Sequence, residues 1–341
     1  MGLFVNVGEL VARLKSTELS AHAPAVPMTS MRRDRRKDCK CFVTIHNAGP
    51  GYHHEFHSLR QAQDFTGLDE GLLKKGYNSL TGAIEPFLLA ADCAELTTVS
   101  PEYANEILSG KCETAGLSFE FSKLKTSISG ITNGIDFSRY NPADTASSLL
   151  PFAFNPAAKD LEGKRKCLDY FLSKCASEKI NTLDTCSHIE KFGYLNPDSL
   201  GQDPIYIAFH GRIVTQKGIS VMARAVDLVL KENLPVRFIF IGQGQADLEK
   251  ELLTLSLNYE GKCVFFHGYD RALSRLCMAV ADFALFPSLF EPCGLEDFIA
   301  QIYGTLPIAH STGGLCKIIS EETGFLYHTN TPEELAIMIH S

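Results

Sequence analysis

Arg212 and Lys217 stand five residues apart in HGRIVTQKG, residues 210–218. A guanidinium fork clamps two phosphate oxygens and an ammonium neutralises a third, so this loop offers the charge that a diphosphate demands. Two solvated basic residues in a surface loop would read the same way in isolation. A carboxylate, Glu291, follows in FPSLFEPCGL, residues 286–295. There it could accept hydrogen bonds from sugar hydroxyls and orient the carbon that reacts, or simply cap a helix. Glycine pairs recur in IGQGQADLE, at Gly242 and Gly244, and in HSTGGLCKII, at Gly313 and Gly314. Such pairs bring backbone amides close to a ligand, although a plain turn uses them equally well.

The elements that carry these loops give them a common position. From residue 205 onward, continuous apolar runs (IYIAFHG, VRFIFIG, CVFFHG, FALFPS, PIAH) alternate with helical patterns such as ISVMARAVDLVLKEN and ADLEKELLTLSL. In the first helical pattern Ile219, Met222, Val226 and Val229 or Leu230 recur at near-helical spacing, with Arg224, Asp227 and Lys231 on the other face. Strands buried on both faces and joined by helical crossovers predict an α/β fold with a parallel, doubly wound sheet. Ligands of such sheets bind at the carboxyl ends of the strands, where all four loops fall.

Composition excludes several function classes. The 341 residues suit two soluble domains, with 45% hydrophobic and 21% charged residues. A net charge of −8 argues against nucleic acid or an anionic membrane as main partner. Eleven cysteines, none but Cys39 and Cys41 closer than eight residues, give neither zinc-ligand spacing nor a disulfide framework. No metal and no cofactor is expected. No apolar run reaches the roughly 20 residues of a spanning helix, and MGLFVNVGEL has no signal-peptide pattern. A cytoplasmic protein is the expectation.

Taken in order, TTVSPEYANEIL, ITNGIDFSRYNP, GRIVTQKG, PSLFEPCGL and STGGL closely resemble the bacterial and plant glycogen and starch synthases. The resemblance runs from about residue 41 to the end and implies the GT-B architecture, two Rossmann-like domains facing a cleft. It implies a partial N-terminal, acceptor-side domain over 1–132 and a nucleotide-sugar domain over 133–341, the latter lacking its final helices. The implied reaction transfers glucose from ADP-glucose to the non-reducing end of an α-1,4-glucan, glycogen or starch, with retention of configuration. By resemblance, Arg212 and Lys217 bind the donor diphosphate and Glu291 contacts the glucosyl unit. Tyr269 packs on the adenine. Gly294, Gly313 and Gly314 lie near the phosphates and sugar, Cys293, Leu295, Thr312 and Asn133 are further substrate-binding positions, and His46 and Asn47 belong to the acceptor side.

The chain also departs from that family. Neither a KTGGL-like loop nor an HDWH-like segment occurs, so the chain is expected to begin after them and its N-terminal domain to expose apolar surface or an open edge. Leu289 stands where a basic residue is usual, and Glu296 and Asp297 replace a polar pair. Those acids either repel a diphosphate or point away and support the helix dipole. A catalytically inactive fragment that retains nucleotide or glucan binding is the alternative reading. A different GT-B enzyme using UDP- or GDP-sugar is a third, against which stands Ile299 where such families carry a second glutamate. His53, His54 and His57 in YHHEFH read as a solvated loop, and the basic run MRRDRRKDCK, residues 31–40, as a solvated connector.

Overall fold

The computed structural model describes residues 41–180, 188–196, 203–232 and 234–341, so MRRDRRKDCK lies outside the described residues. The chain divides into two units, Met1–Asn133 and Gly134–Ser341.

In the first unit, β1 (Phe42–Ile45), β2 (Glu95–Thr98) and β3 (Ile128–Gly130) form a parallel sheet in the order β1-β2-β3. After β2, Ser100 caps α1 (Pro101–Ser109): its side chain accepts from the Tyr103 amide, Pro101 occupies the first turn, and Gly110 in the left-handed region ends the helix. Phe56, Leu73, Ile84 and Leu89 form a small core. Among the described residues β1 and β3 are edges of the sheet, and Phe42 on β1 is 48% exposed.

The second unit is built on a seven-stranded sheet. It contains β4 (Glu190–Leu195), β5 (Ile205–His210), β6 (Val236–Gly242), β7 (Lys262–His267), β8 (Phe283–Phe286), β9 (Leu306–His310) and β10 (Phe325–Tyr327). Their order is β10-β9-β8-β5-β6-β7-β4, parallel except that β4 runs antiparallel to β7. Leaving out β4, this is the strand order of a doubly wound dinucleotide-binding sheet, with its topological switch point between β5 and β8. Helices α2 (Ile219–Lys231), α3 (Ala246–Asn258), α4 (Arg271–Val280) and α5 (Glu296–Ile302) make the crossovers, and α6 (Pro332–His340) follows β10. In α2, Ile219, Met222, Val226, Val229 and Leu230 are all buried. In β6, Phe238 and Phe240 enter one core cluster and Ile239 and Ile241 the other, so both sheet faces are covered. Each such side chain contributes about 1.5–3 kcal/mol on burial. Strand β4 escaped the sequence reading because EKFGYL lacks a continuous apolar run; it is an edge strand, mostly half-buried. No helix among the described residues is long and apolar enough to cross a membrane.

Candidate active site

The loops after β5 and β8 meet at the switch point. Lys217 ends a short 3-10 turn, Thr215–Lys217, and its Nζ reaches Glu291 Oε2 at 2.5 Å. The two side chains are only 22% and 12% exposed. Ser288 Oγ donates to the same Oε2 at 3.1 Å, which leaves Oε1 without a hydrogen-bond partner among the described residues. The loops are also joined through their backbones: the Leu289 amide donates to Gln216 O at 2.8 Å and Gln216 Nε2 donates to Phe290 O at 3.2 Å. Arg212 lies in the same loop, exposed, and its guanidinium has no recorded partner among the described residues.

The glycine-rich loop after β9 packs directly on the Glu291 loop. The Gly314 amide donates to Glu291 O at 2.7 Å, and a Cβ on Gly314 would stand 2.0 Å from Cys293 O. Only glycine permits that approach. Thr312, Gly313 and Gly314 are buried, as is Cys293, while Gly294 takes φ 70° and Leu295 is 37% exposed at the head of α5. The glycine pair after β6 serves the chain itself. Ile213 donates to Gln243 O at 2.9 Å and accepts from the Gln245 amide at 2.7 Å, so this loop extends the β5–β6 pairing.

Lys317, which the sequence reading did not single out, holds these loops together. Its Nζ donates to the carbonyls of Cys293 (2.7 Å), Gly294 (2.9 Å) and Gly314 (3.0 Å) and to Asp297 Oδ1 (3.0 Å). It also lies 2.9 Å from Asp297 Oδ2, within ion-pair range though without hydrogen-bond geometry, and above the Phe298 ring. Burial pushes the Asp297 carboxyl up to about 6, against the pull of Lys317 and reinforced by Glu291. Neither reading offered for the acid pair describes Asp297: it is fully buried and neutralised by a partner twenty residues away. Glu296 instead pairs with His210 Nδ1 at 3.0 Å. No pattern within one loop announces either pair.

Tyr269 follows β7 and is 55% exposed, its ring stacked on His210 with centroids 6.5 Å apart. In the first unit, exposed His46 and half-buried Asn47 follow β1. Asn47 Oδ1 accepts from the Gly49 amide at 2.8 Å and from Tyr103 Oη at 3.4 Å. The Asn133 amide donates to Val99 O at 3.3 Å. His53 corrects the expectation of a solvated loop: it is 2% exposed, with Nε2 2.6 Å from Ala48 O and Nδ1 3.3 Å from Glu85 Oε2. His54 and His57 are exposed, none of the three lies on a helix, and no cluster of three metal-ligating side chains occurs among the described residues.

Comparisons with known proteins bear on the family and the fold. A family model described as the starch synthase catalytic domain matches residues 19–119, and one described as glycosyl transferases group 1 matches residues 204–341. The glycogen synthase of Thermodesulfovibrio yellowstonii is 34% identical over 302 residues, covering 85% of this chain and 54% of that protein. The chain belongs to the glycogen and starch synthase family. The glycogen synthase of Flavobacterium johnsoniae is 30% identical over 295 residues, covering 86% of this chain and 55% of its own. The catalytic domain of starch synthase IV from Arabidopsis thaliana, solved bound to ADP and acarbose, superposes with a TM-score of 0.76 at 24% identity, covering 94% of this chain and 62% of that one. The fold is therefore of the GT-B glycosyltransferase type. The chain spans about half the length of the glycogen synthases it matches.

Proposed function

We propose that this synthase-family chain acts in the transfer of glucose from ADP-glucose to the non-reducing end of an α-1,4-glucan, with retention. The Lys217–Glu291 pair across the switch point, with Arg212 in the Lys217 loop unpartnered among the described residues, is the observation that carries the reading. A donor diphosphate would take the Arg212 fork and the two Lys217 protons not engaged by Glu291. Glu291 Oε1 remains to accept from a glucosyl hydroxyl. Breaking the anomeric bond leaves charge on the diphosphate, so cations fixed in place before reaction lower the barrier most. Loss of either base is expected to cost about 2.7–4 kcal/mol of transition-state free energy. Tyr269 offers an aromatic face to the adenine, His46 and Asn47 are assigned to the glucan side, and Asn133 is a further substrate-binding residue. The family relationship supports ADP-glucose as donor and glycogen or starch as acceptor. A cytoplasmic location belongs to the same reading.

Calorimetry with ADP and UDP, together with incorporation of labelled glucose from ADP-glucose into glycogen, tests this. ADP binding that is tighter than UDP binding and is lost in the Arg212→Ala, Lys217→Ala variant is expected. Tighter UDP binding, or ADP affinity unchanged in that variant, overturns the donor assignment. Absence of label from the polymer with ADP binding intact would leave this chain a binding protein.

A further inference from the structure

The segment that follows β1 belongs to no helix or strand, yet it is gripped from three sides. Thr98 Oγ1 on β2 donates to Ile45 O at 2.6 Å. The Ala48 amide donates to Tyr103 Oη on α1 at 2.8 Å, and Ala48 O lies 2.6 Å from His53 Nε2. Asn47 Oδ1 accepts from the Gly49 amide. An amide N–H only donates, so that contact fixes which end of the Asn47 side chain is the oxygen. Its Nδ2 and the exposed His46 ring have no hydrogen-bond partner among the described residues. Two polar groups are thus set on a braced backbone at the carboxyl end of a parallel strand, where such sheets bind ligands.

His53 supplies the part of this grip that can change. Its ring nitrogens face two acceptors: Nε2 the Ala48 carbonyl, and Nδ1 the Glu85 carboxylate, 3.4 Å from Oε1 and 3.3 Å from Oε2. A carbonyl and a carboxylate only accept, so both contacts are kept when both nitrogens carry a proton and the ring is charged. A neutral ring has one N–H for two acceptors. It abandons the carbonyl or turns a lone pair on the carboxylate. His53 and Glu85 are 2% and 1% exposed, so water does not make up the loss. Asn78 Nδ2 holds Glu85 Oε1 at 3.1 Å, Glu55 is the other charge near His53, and the Phe87 ring packs edge-on at 6.3 Å. Burial opposes the charged ring, but the Glu85 and Ala48 acceptors outweigh it and the pKa is raised.

We propose that His53 and Tyr103 are positioning residues for the glucan acceptor, setting His46 and Asn47 through Ala48, and that loss of the His53 proton weakens acceptor binding as pH rises. This rests on the assignment of His46 and Asn47 to the glucan side. Maltoheptaose is titrated by calorimetry into the full chain at pH 6 and pH 8.5, as wild type and with His53→Gln, Tyr103→Phe or His46→Ala. The worth of one hydrogen bond sets the scale at roughly two- to tenfold in affinity. Wild-type affinity should fall by about that factor between the two pH values. His53→Gln keeps a donor for Ala48 O but does not titrate, so the fall should vanish; any contribution of His46 is common to both proteins and cancels. Tyr103→Phe keeps the buried ring without its hydroxyl and should bind more weakly at both pH values. ADP affinity at a given pH should be unchanged by either substitution, which a damaged fold would not allow. Wild-type affinity independent of pH, a fall equal in His53→Gln, or Tyr103→Phe binding like wild type overturns the proposal. Hydrogen exchange over residues 45–50, compared at one pH, reads the grip without glucan: it should be faster in Tyr103→Phe than in wild type, and equal exchange overturns the grip. Failure of the acceptor reading is separately visible as that exchange difference with maltoheptaose binding undiminished in His46→Ala, which overturns the glucan half alone.

Discussion

Replacing Lys317 by methionine removes one cation that serves three carbonyls and a buried carboxylate. The Lys317 and Asp297 side chains are 17% and 0% exposed, so solvent cannot restore what is lost. Removing one partner of a buried ion pair costs about 3–5 kcal/mol, because the other charge is stranded. Near the melting temperature of a unit of this size, each kcal/mol corresponds to about 2–4 °C, so the midpoint should fall by roughly 6–20 °C. Asp297 also sets a pH signature. Its folded pKa, about 6, lies above the ordinary carboxyl value of 3.8. The folded state therefore binds more protons than the unfolded one between these values, and the Asp297 contribution to stability falls as pH rises through that window. Without Lys317 the carboxyl should protonate more readily still, so the loss should be smaller at pH 5 than at pH 7.5.

Scanning calorimetry at both pH values, on the wild type, Lys317→Met, Asp297→Asn and the double variant, measures this. Asp297→Asn should flatten the acid limb, and the double variant should melt above Lys317→Met. A Lys317→Met midpoint within about 1 kcal/mol of wild type at pH 7.5, or a double variant no better than the single, refutes the brace.

Lys217→Ala should weaken ADP binding by about 1.5–3 kcal/mol, the value of a hydrogen bond to a charged group, and also leave Glu291 unmasked beside the phosphates. Adding Glu291→Gln should then recover part of the ADP affinity by calorimetry without restoring transfer; no recovery would mean that the carboxylate does not face the nucleotide. Gly314→Ala drives a Cβ to 2.0 Å from Cys293 O and should destabilise by about 1–3 kcal/mol, with weaker ADP binding. A melting curve that does not move would show the contact to be slack. Burial lowers the His53 pKa, but hydrogen bonds to Glu85 and Ala48 and nearby carboxylates outweigh it, so the net shift is upward. Its stabilisation is full below the ordinary value near 6.5 and is lost as pH rises through the raised one. His53→Asn should remove that pH dependence, which thermal melting from pH 6 to 8.5 will detect.

What the sequence disclosed follows from the range of the forces involved. Strands β5 to β9 and helices α2 to α5 were readable because burial on both sheet faces writes continuous apolar runs, and helices write a near-3.6 period. Position followed from topology: loops after β5, β8 and β9 must gather at one sheet edge, so Arg212, Lys217, Glu291 and Gly314 could be grouped before any coordinates. Lys317, His210 and the burial of His53 were not legible. Each depends on a contact between segments far apart in sequence, 20 residues for Lys317 with Asp297, 86 for His210 with Glu296 and 32 for His53 with Glu85. A charged residue in a polar loop looks the same whether it meets water or a buried partner.

The acids after β8 show why that distinction matters. Glu291, Glu296 and Asp297 fall within seven consecutive residues, an arrangement that taken alone should repel a diphosphate. Each meets a basic group from another segment: Lys217 after β5, His210 at the end of β5, and Lys317 after β9. The negative charge is thereby spent on joining the three loops that leave the neighbouring strands β5, β8 and β9. Lys317 adds three carbonyls to its carboxylate, so it turns the partial negative charge of those backbone groups inward as well. What the edge presents outward is then set by the groups left unengaged, Arg212 and the exposed face of Tyr269 among them. A loop can be rich in carboxylates and still form the wall of an anion site, provided that the acids are consumed in holding the wall together.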